Sequence, residues 1–277
     1  MRILLTNDDG LTAPGIVALH GAIADLGSDL LTVAPLTVQS ATGHGLTVHT
    51  PLMLTRMEIP PRLGSRGFEG VALDGRPADC VKVAVSNIWP EAFGAGSRPD
   101  VVISGMNAGA NAGINTVYSG TVAAALEAAF MGIPSVAVSL HLGRGKPDFA
   151  LAARHARRAI DAVLKIGFPS PHACVSINIP VTELGMPEGQ TSRYPLRVCP
   201  VNAHGLNDRF EKRTSPGGEE YYWAAGSGLD FKTTDEGSDV QWLFKRCITI
   251  TPLRYDLTKK SVLGYWKDGV GEGVSEV

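Results

Sequence analysis

Short runs that are apolar throughout alternate along the chain with segments whose apolar residues recur at helical spacing. Residues 3–5 (Ile-Leu-Leu) stand at the N-terminus and predict a buried strand. Pro14 suits the first turn of a helix that carries Ile16, Val17, Leu19, Ile23 and Leu26, with Gly27 placed to stop it. Residues 30–34 predict a second strand, ended by Pro35, and residues 46–57, rich in alternating β-formers, predict one or two more. Another short strand is expected over 68–73, and Pro77 opens a helix that runs to Ile88. Residues 100–104 form a further apolar strand, before a loop rich in glycine and asparagine from Gly105 to Gly120. A small-residue helix over 121–131, a strand over 135–139, an amphipathic helix over 149–166 and a strand over 173–179 follow. Arg154, Arg157, Arg158 and Lys165 fall on the polar side of that amphipathic helix and predict a solvated face.

Strands that are apolar throughout, alternating with helices, signal a parallel sheet covered on both faces. The fold class is therefore α/β, a three-layer α/β/α Rossmann-like core with a mostly parallel sheet. The pattern changes after Pro180. Turn formers, Tyr221-Tyr222-Trp223 and late strand formers near residues 247–253 replace it, and no strong helix is expected before the last residues. We divide the chain into a core over 1–180 and a β-rich extension over 181–277 whose strands return to the core.

Composition narrows the function. With 277 residues, 44% hydrophobic and 19% charged, the chain can bury a sizeable core. A net charge of -2 gives no reason to expect a nucleic-acid polymer or an anionic membrane as partner. No apolar run approaches a membrane-spanning length, and the N-terminus lacks a signal-peptide layout. Cys80, Cys174, Cys199 and Cys247 form no CxxC pair, which argues against zinc ribbons and for buried, reduced thiols in a cytoplasmic protein.

Chemistry collects where strands end. In open parallel sheets, ligands sit beyond the carboxyl ends of the strands. Asn7-Asp8-Asp9-Gly10 leaves the first strand, residues 39–45 (QSATGHG) follow the second, and residues 104–121 follow the strand at 100–104. Two adjacent carboxylates repel unless a cation lies beside them. Asp8 and Asp9 thus read either as a turn or as part of a divalent-cation site. Asn107 could add a neutral carbonyl oxygen to such a site, and Ser40 a hydroxyl. Ser119-Gly120-Thr121 opens a helix, where backbone amides and hydroxyls can cradle a phosphate or simply cap the helix. His44, between glycines, reads as a general acid, a phosphate contact or a solvated side chain. His20 and His49 read as structural or exposed, and Arg209, Lys212 and Arg213 as a solvated basic cluster. Neither GxGxxG nor GxxxxGK[ST] is present, so dinucleotide and nucleoside-triphosphate loops are not supported.

These stretches resemble the SurE survival-protein family of 5'-nucleotidases. The resemblance rests on ILLTNDDG at 3–10, APG at 13–15, QSATGHG at 39–45, RPADCV at 76–81, SGMNAGANAG at 104–113, YSGTVAAALEAA at 118–129, EEYYW at 219–223 and ITPLRYDLT at 250–258. It implies a phosphatase that needs one divalent cation, magnesium or manganese, and hydrolyses nucleoside 5'-monophosphates. Further substrates could include 3'-nucleotides and short polyphosphate, and homodimers or homotetramers are implied. The family's metal ligands fall on Asp8, Asp9, Ser40 and Asn107. Its phosphate-contacting segment falls on Ser119, Gly120 and Thr121, and Asn111 lines the same site. On such a site we expect Asp8 to orient or deprotonate the attacking water, Asp9 to share the cation and His44 to protonate the leaving nucleoside oxygen. Gly45 stands where a serine is frequent, Arg76 where threonine is usual, and Arg246-Cys247 where a Gly-Tyr pair is usual. Adjacent acids do not fit the Asp-x-Asp spacing of haloacid-dehalogenase-like phosphatases, whose strand-end aspartate is a nucleophile. A non-catalytic nucleotide-binding protein on the same scaffold is the alternative from another class.

Overall fold

The computed structural model describes residues 1–187, 193–225 and 228–270. Strand β1 (Arg2–Thr6) is followed by helix α1 (Pro14–Ile23), strand β2 (Asp29–Pro35) and the pair β3 (Leu54–Ile59) and β4 (Phe68–Leu73). Helices α2 (Pro77–Val83) and α3 (Trp89–Phe93) are joined by a π-helical turn, Ala84–Ile88. Next come β5 (Val101–Ala108), α4 (Gly120–Phe130), β6 (Ser135–Leu140), α5 (Phe149–Ile166) and β7 (Cys174–Ile179). The last third adds β8 (Leu196–Val198), β9 (Arg209–Thr214), β10 (Glu220–Ala225), α6 (Asp239–Phe244), β11 (Ile248–Leu253) and α7 (Leu263–Val270).

Nine of these strands make one sheet in the order β3-β4-β2-β1-β5-β6-β7-β11-β8. From β4 to β7 every neighbouring pair is parallel. The apolar run at 3–5 shows why: Ile3 and Leu5 pack on the side of α1 and α5, while Leu4 packs on the side of α2 and α4. A strand with helices on both faces has no face left for polar residues. The sheet order also places the site. From β1 the chain moves outward to β2 and β4, and from β5 it moves the other way to β6 and β7. Connections therefore diverge between β1 and β5, whose ends are in register at Thr6 and Ser104. That divergence opens a crevice at the carboxyl ends of the two strands.

Several expectations need revision. Only Leu54–Ile59 of the 46–57 segment is a strand. Upstream, backbone bonds go elsewhere: the Thr47 amide donates to Asp79, and the Met53 carbonyl accepts from the Asp74 amide. β5 runs on to Ala108, past the expected end at Ser104, because a register shift lets Asn107 and Ala108 pair with β6. The first helix ends at Ile23, before Gly27. Gly27 is needed for a close approach instead, since a Cβ there would lie 2.1 Å from the Met1 carbonyl oxygen. Helix α6 departs from the expectation of no helix in this stretch; it has six residues, too few for a periodic signal, and is capped by the Ser238 hydroxyl. The α5 face is not simply solvated: Arg157 binds the Ala22 carbonyl and Asp25, and Arg158 binds the Tyr194 carbonyl.

Within the extension, β11 joins β7 antiparallel and β8 pairs with β11, so both enlarge the main sheet. The β9–β10 hairpin forms a separate two-stranded sheet. On it, Arg209, Lys212 and Arg213 pair with Asp230, Glu220 and Glu211 at the exposed surface. All four cysteines are free and buried. Among the described residues, no helix is long and apolar enough to cross a membrane.

His20 of α1 stacks on Phe68, with ring centroids 3.8 Å apart. Burial pushes its pKa down from 6.5 to about 4. The unfolded chain thus binds a proton that the folded chain refuses, and stability contributed by the neutral ring is lost as pH falls from 6.5 to about 4. His20→Phe, which keeps the stack, should lose less melting temperature than the parent between pH 7 and pH 4.5. Equal losses, measured by thermal denaturation, would refute this assignment.

Candidate active site

The loop after β1 makes the turn and leaves its two carboxylates beside a cavity. Asn7 is fully buried and makes the turn, its amide donating to the Gly10 carbonyl at 2.9 Å while its carbonyl oxygen accepts from the Gly10 amide at 3.1 Å. Gly10 has φ of 97°, a conformation that favours glycine. Asp8 and Asp9 are thereby left free to project into the crevice. They line a cavity of about 520 Å³ together with Ser40, Asn107, Asn111, Asn115, Tyr118 and Ser119.

Each oxygen donor is oriented by its surroundings. Thr121 donates its hydroxyl to Asp8 Oδ1. The Ala108 amide donates to Asp9 Oδ2 at 2.8 Å. Asn107 spends its amide on the Gly109 carbonyl at 2.7 Å, which turns its carbonyl oxygen into the free end. Asn111 donates to Ser139 Oγ at 2.9 Å, and its backbone amide donates to the Asn178 side chain at 2.9 Å. The Gln39 amide, next to Ser40, donates to the Asp8 carbonyl at 2.8 Å.

Electrostatically the cavity lacks positive charge. Burial pushes Asp8 up to about 6; the Thr121 hydrogen bond opposes this, and the neighbouring Asp9 adds to it. Burial likewise raises Asp9. Among the described residues, no lysine or arginine lines the cavity. Its one histidine, His141, is held below its ordinary pKa by burial. Among the described residues, no three side chains from His, Cys, Asp and Glu are grouped to share a metal. A cation held here must therefore use amide and hydroxyl oxygens beside the two carboxylates. That donor set suits a hard ion such as magnesium or manganese.

Three predicted site residues are not on the cavity wall. Of Ser119, Gly120 and Thr121, only Ser119 lines it, while its hydroxyl also accepts from the Val122 amide at 3.0 Å as the cap of α4. Thr121 is fully buried and committed to Asp8, so direct phosphate contact is revised to support of that carboxylate. Gly120 packs behind Asp8, where a Cβ would stand 2.9 Å from Asp8 Cβ. His44 lies off the cavity, its Nε2 donating to Glu127 Oε2 at 2.7 Å. A role as general acid is revised accordingly, because Nε2 is committed to Glu127 on α4.

Other wall residues lie outside the motifs of the sequence. His141 and Leu142 follow β6, and could have been noticed as the next strand end. Gly228, Leu229 and Phe244 come from the extension, and Asn115 donates its amide to the Gly228 carbonyl. The departures at Gly45 and Arg76 meet in space: a Cβ on Gly45 would lie 2.0 Å from Arg76 Nη1, the far end of a flexible side chain that would have to shift.

Fold and cavity together define an open α/β protein with an acidic, oxygen-lined cleft at the divergence point of a parallel sheet. The chain belongs to the SurE family, whose model, described as survival protein SurE, matches residues 3–202. It is 40% identical over 269 residues to the 5'-nucleotidase SurE of Rhodopirellula baltica, covering 97% of this chain and 98% of that one. It is also 40% identical over 265 residues to the 5'-nucleotidase SurE of Gloeobacter violaceus, covering 95% and 94%. The crystal structure of the SurE protein from Aquifex aeolicus is similar with a TM-score of 0.78 and 32% identity, over 98% of this chain and 100% of that one.

Proposed function

We propose that this protein is a divalent-metal-dependent phosphatase that hydrolyses nucleoside 5'-monophosphates to nucleoside and phosphate. The observation that carries the reading is the meeting of Asp8, Asp9, Ser40 and Asn107, from three separate loops and strand ends, around one cavity that no lysine or arginine among the described residues lines. Relatives that match nearly end to end carry the name 5'-nucleotidase, which supports turnover rather than binding alone. Asp8, Asp9, Ser40 and Asn107 would hold a magnesium or manganese ion. When bound, that ion supplies positive charge to a phosphoryl oxygen and offsets charge in the transition state.

The chain's own groups do the rest. Asn111 and Ser119, anchored by Ser139, Asn178 and the end of α4, orient the phosphate. Asp8, held by Thr121, orients the attacking water. Tyr118, Leu229 and Phe244 form an apolar wall that accommodates the nucleoside and keeps water from its face. Four free thiols fit a reducing cytoplasm. The exposed Phe210, Tyr222 and Trp223 on the β9–β10 hairpin support assembly into a homodimer or homotetramer.

Phosphate release from a panel of 5'- and 3'-nucleotides and short polyphosphate, with magnesium, with manganese and with chelator, tests this. Release from 5'-monophosphates is expected with either metal and should vanish with chelator. Undiminished release in chelator would rule out the cation, and nucleotide binding without release would rule out the phosphatase.

A further inference from the structure

Glu127 has no place in the mechanism above, yet it is a buried carboxylate. It sits in the middle of α4 among Ala123, Ala124, Ala125, Ala128 and Ala129, and only 4% of its surface is exposed. Alanine would suit this position by helix propensity alone, and an unpaired charge there would be costly. Glu127 is paired on both oxygens. His44 Nε2 donates to Oε2 at 2.7 Å, and Lys82 Nζ approaches Oε1 at 2.6 Å. Burial acts to raise its pKa, but His44 and Lys82 outweigh this and hold it below the ordinary carboxylate range.

The two partners come from different elements. Lys82 belongs to α2, and its bond pins α2 to α4. His44 belongs to the loop after β2, which forms no strand or helix between residues 36 and 53. That loop carries Ser40. Its backbone ties bracket Ser40: the Gln39 amide bonds the Asp8 carbonyl at 2.8 Å, and the Gly43 amide bonds the Tyr118 carbonyl at 3.0 Å. Farther on, the Thr47 amide bonds both oxygens of Asp79 at 3.1 Å. Between Gly43 and Thr47, the side-chain tie is His44 to Glu127. The same helix begins with Ser119 and Thr121, which meet the cavity and Asp8.

We propose that Glu127 is a positioning residue: through His44 it latches the 39–47 loop onto α4 and so presents Ser40 to the cation beside Asp8 and Asp9. This rests on the metal-site reading above. Glu127 touches neither substrate nor reacting atoms. His44 acts as the bolt of the latch, which accounts for its place off the cavity.

Manganese binding by the full chain, measured by calorimetry with no nucleotide present, tests the latch. Outer residues that orient metal ligands typically contribute about tenfold to affinity. His44→Ala and Glu127→Ala should each weaken manganese binding about tenfold, and the double variant should be no weaker than either. Glu127→Gln, whose amide oxygen still accepts from His44, should retain most of the affinity. Lys82→Met should lower the melting temperature while leaving manganese affinity within about twofold of the parent. A His44→Ala variant that folds and binds manganese like the parent overturns the proposal, whatever Glu127→Ala does to stability. Additive losses in the double variant overturn it too, because the two side chains would then act separately. A parent chain that binds no manganese overturns the metal reading itself, and the latch with it.

Discussion

Replacing Asp9 by asparagine should remove metal-dependent phosphate release while leaving the fold in place. Asparagine has the same size, and its carbonyl oxygen can still accept the Ala108 amide that now bonds Asp9 Oδ2 at 2.8 Å. What is lost is one of the two carboxylate charges that, among the described residues, line the cavity. A cation that supplies several kcal/mol of transition-state stabilisation would be held weakly or misplaced. A loss of about 4 kcal/mol corresponds to a fall on the order of 10³ in kcat/KM. Initial-rate kinetics over a manganese titration, with a melting curve alongside, checks this. A variant that keeps the parent's rate at the same metal concentration removes Asp9 from the site.

A methyl group on Gly120 should be nearly as damaging, although it touches no substrate. An added Cβ would stand 2.9 Å from Asp8 Cβ, 3.0 Å from Pro77 Cγ and 3.1 Å from Asp8 Oδ2. Two effects compete in Gly120→Ala. Helix propensity favours alanine by about 1 kcal/mol in a helix interior, and less at the first position of α4. Against this, Asp8 must move, since Pro77 closes the other side. A displacement of about 1 Å at a catalytic group costs on the order of 10²-fold in rate. The melting temperature should therefore change little while kcat falls about 10²-fold. A rate within threefold of the parent would show that Asp8 has room to shift without consequence.

The elements that position the site differ in how far they could be read in advance. β1 and the turn after it were legible because an apolar run that stops at Asn7-Asp8-Asp9-Gly10 leaves few conformations open. The turn is there, made by Asn7 and Gly10, and it leaves Asp8 and Asp9 lining the cavity. Asn107 was legible as a donor but was placed in a loop. The strand reaches it because β6 continues alongside, where Ser139 pairs with Asn107 from 32 residues away in sequence. His44 and Thr121 were legible as polar groups near the site, but their direction was not. Each turns to a carboxylate, Glu127 or Asp8, brought beside it by the packing of α4.

The sequence by itself determined the alternation of buried strands and helices, and with it the parallel sheet and the strand-end address of the chemistry. It also determined the oxygen-rich character of the donors, because residue types alone state what a side chain can coordinate. Only the tertiary structure decided which of these residues share a cavity and which stand behind it. It alone brought Gly228, Leu229 and Phe244 to the wall, matched Gly45 to the guanidinium of Arg76, and gave Glu127 its two partners. The physical reason is the range of the forces involved. Periodicity and turn chemistry act between near neighbours in the chain. Hydrogen bonds, charge pairing and steric exclusion act over a few ångströms of space, between groups whose separation in sequence is set by the fold.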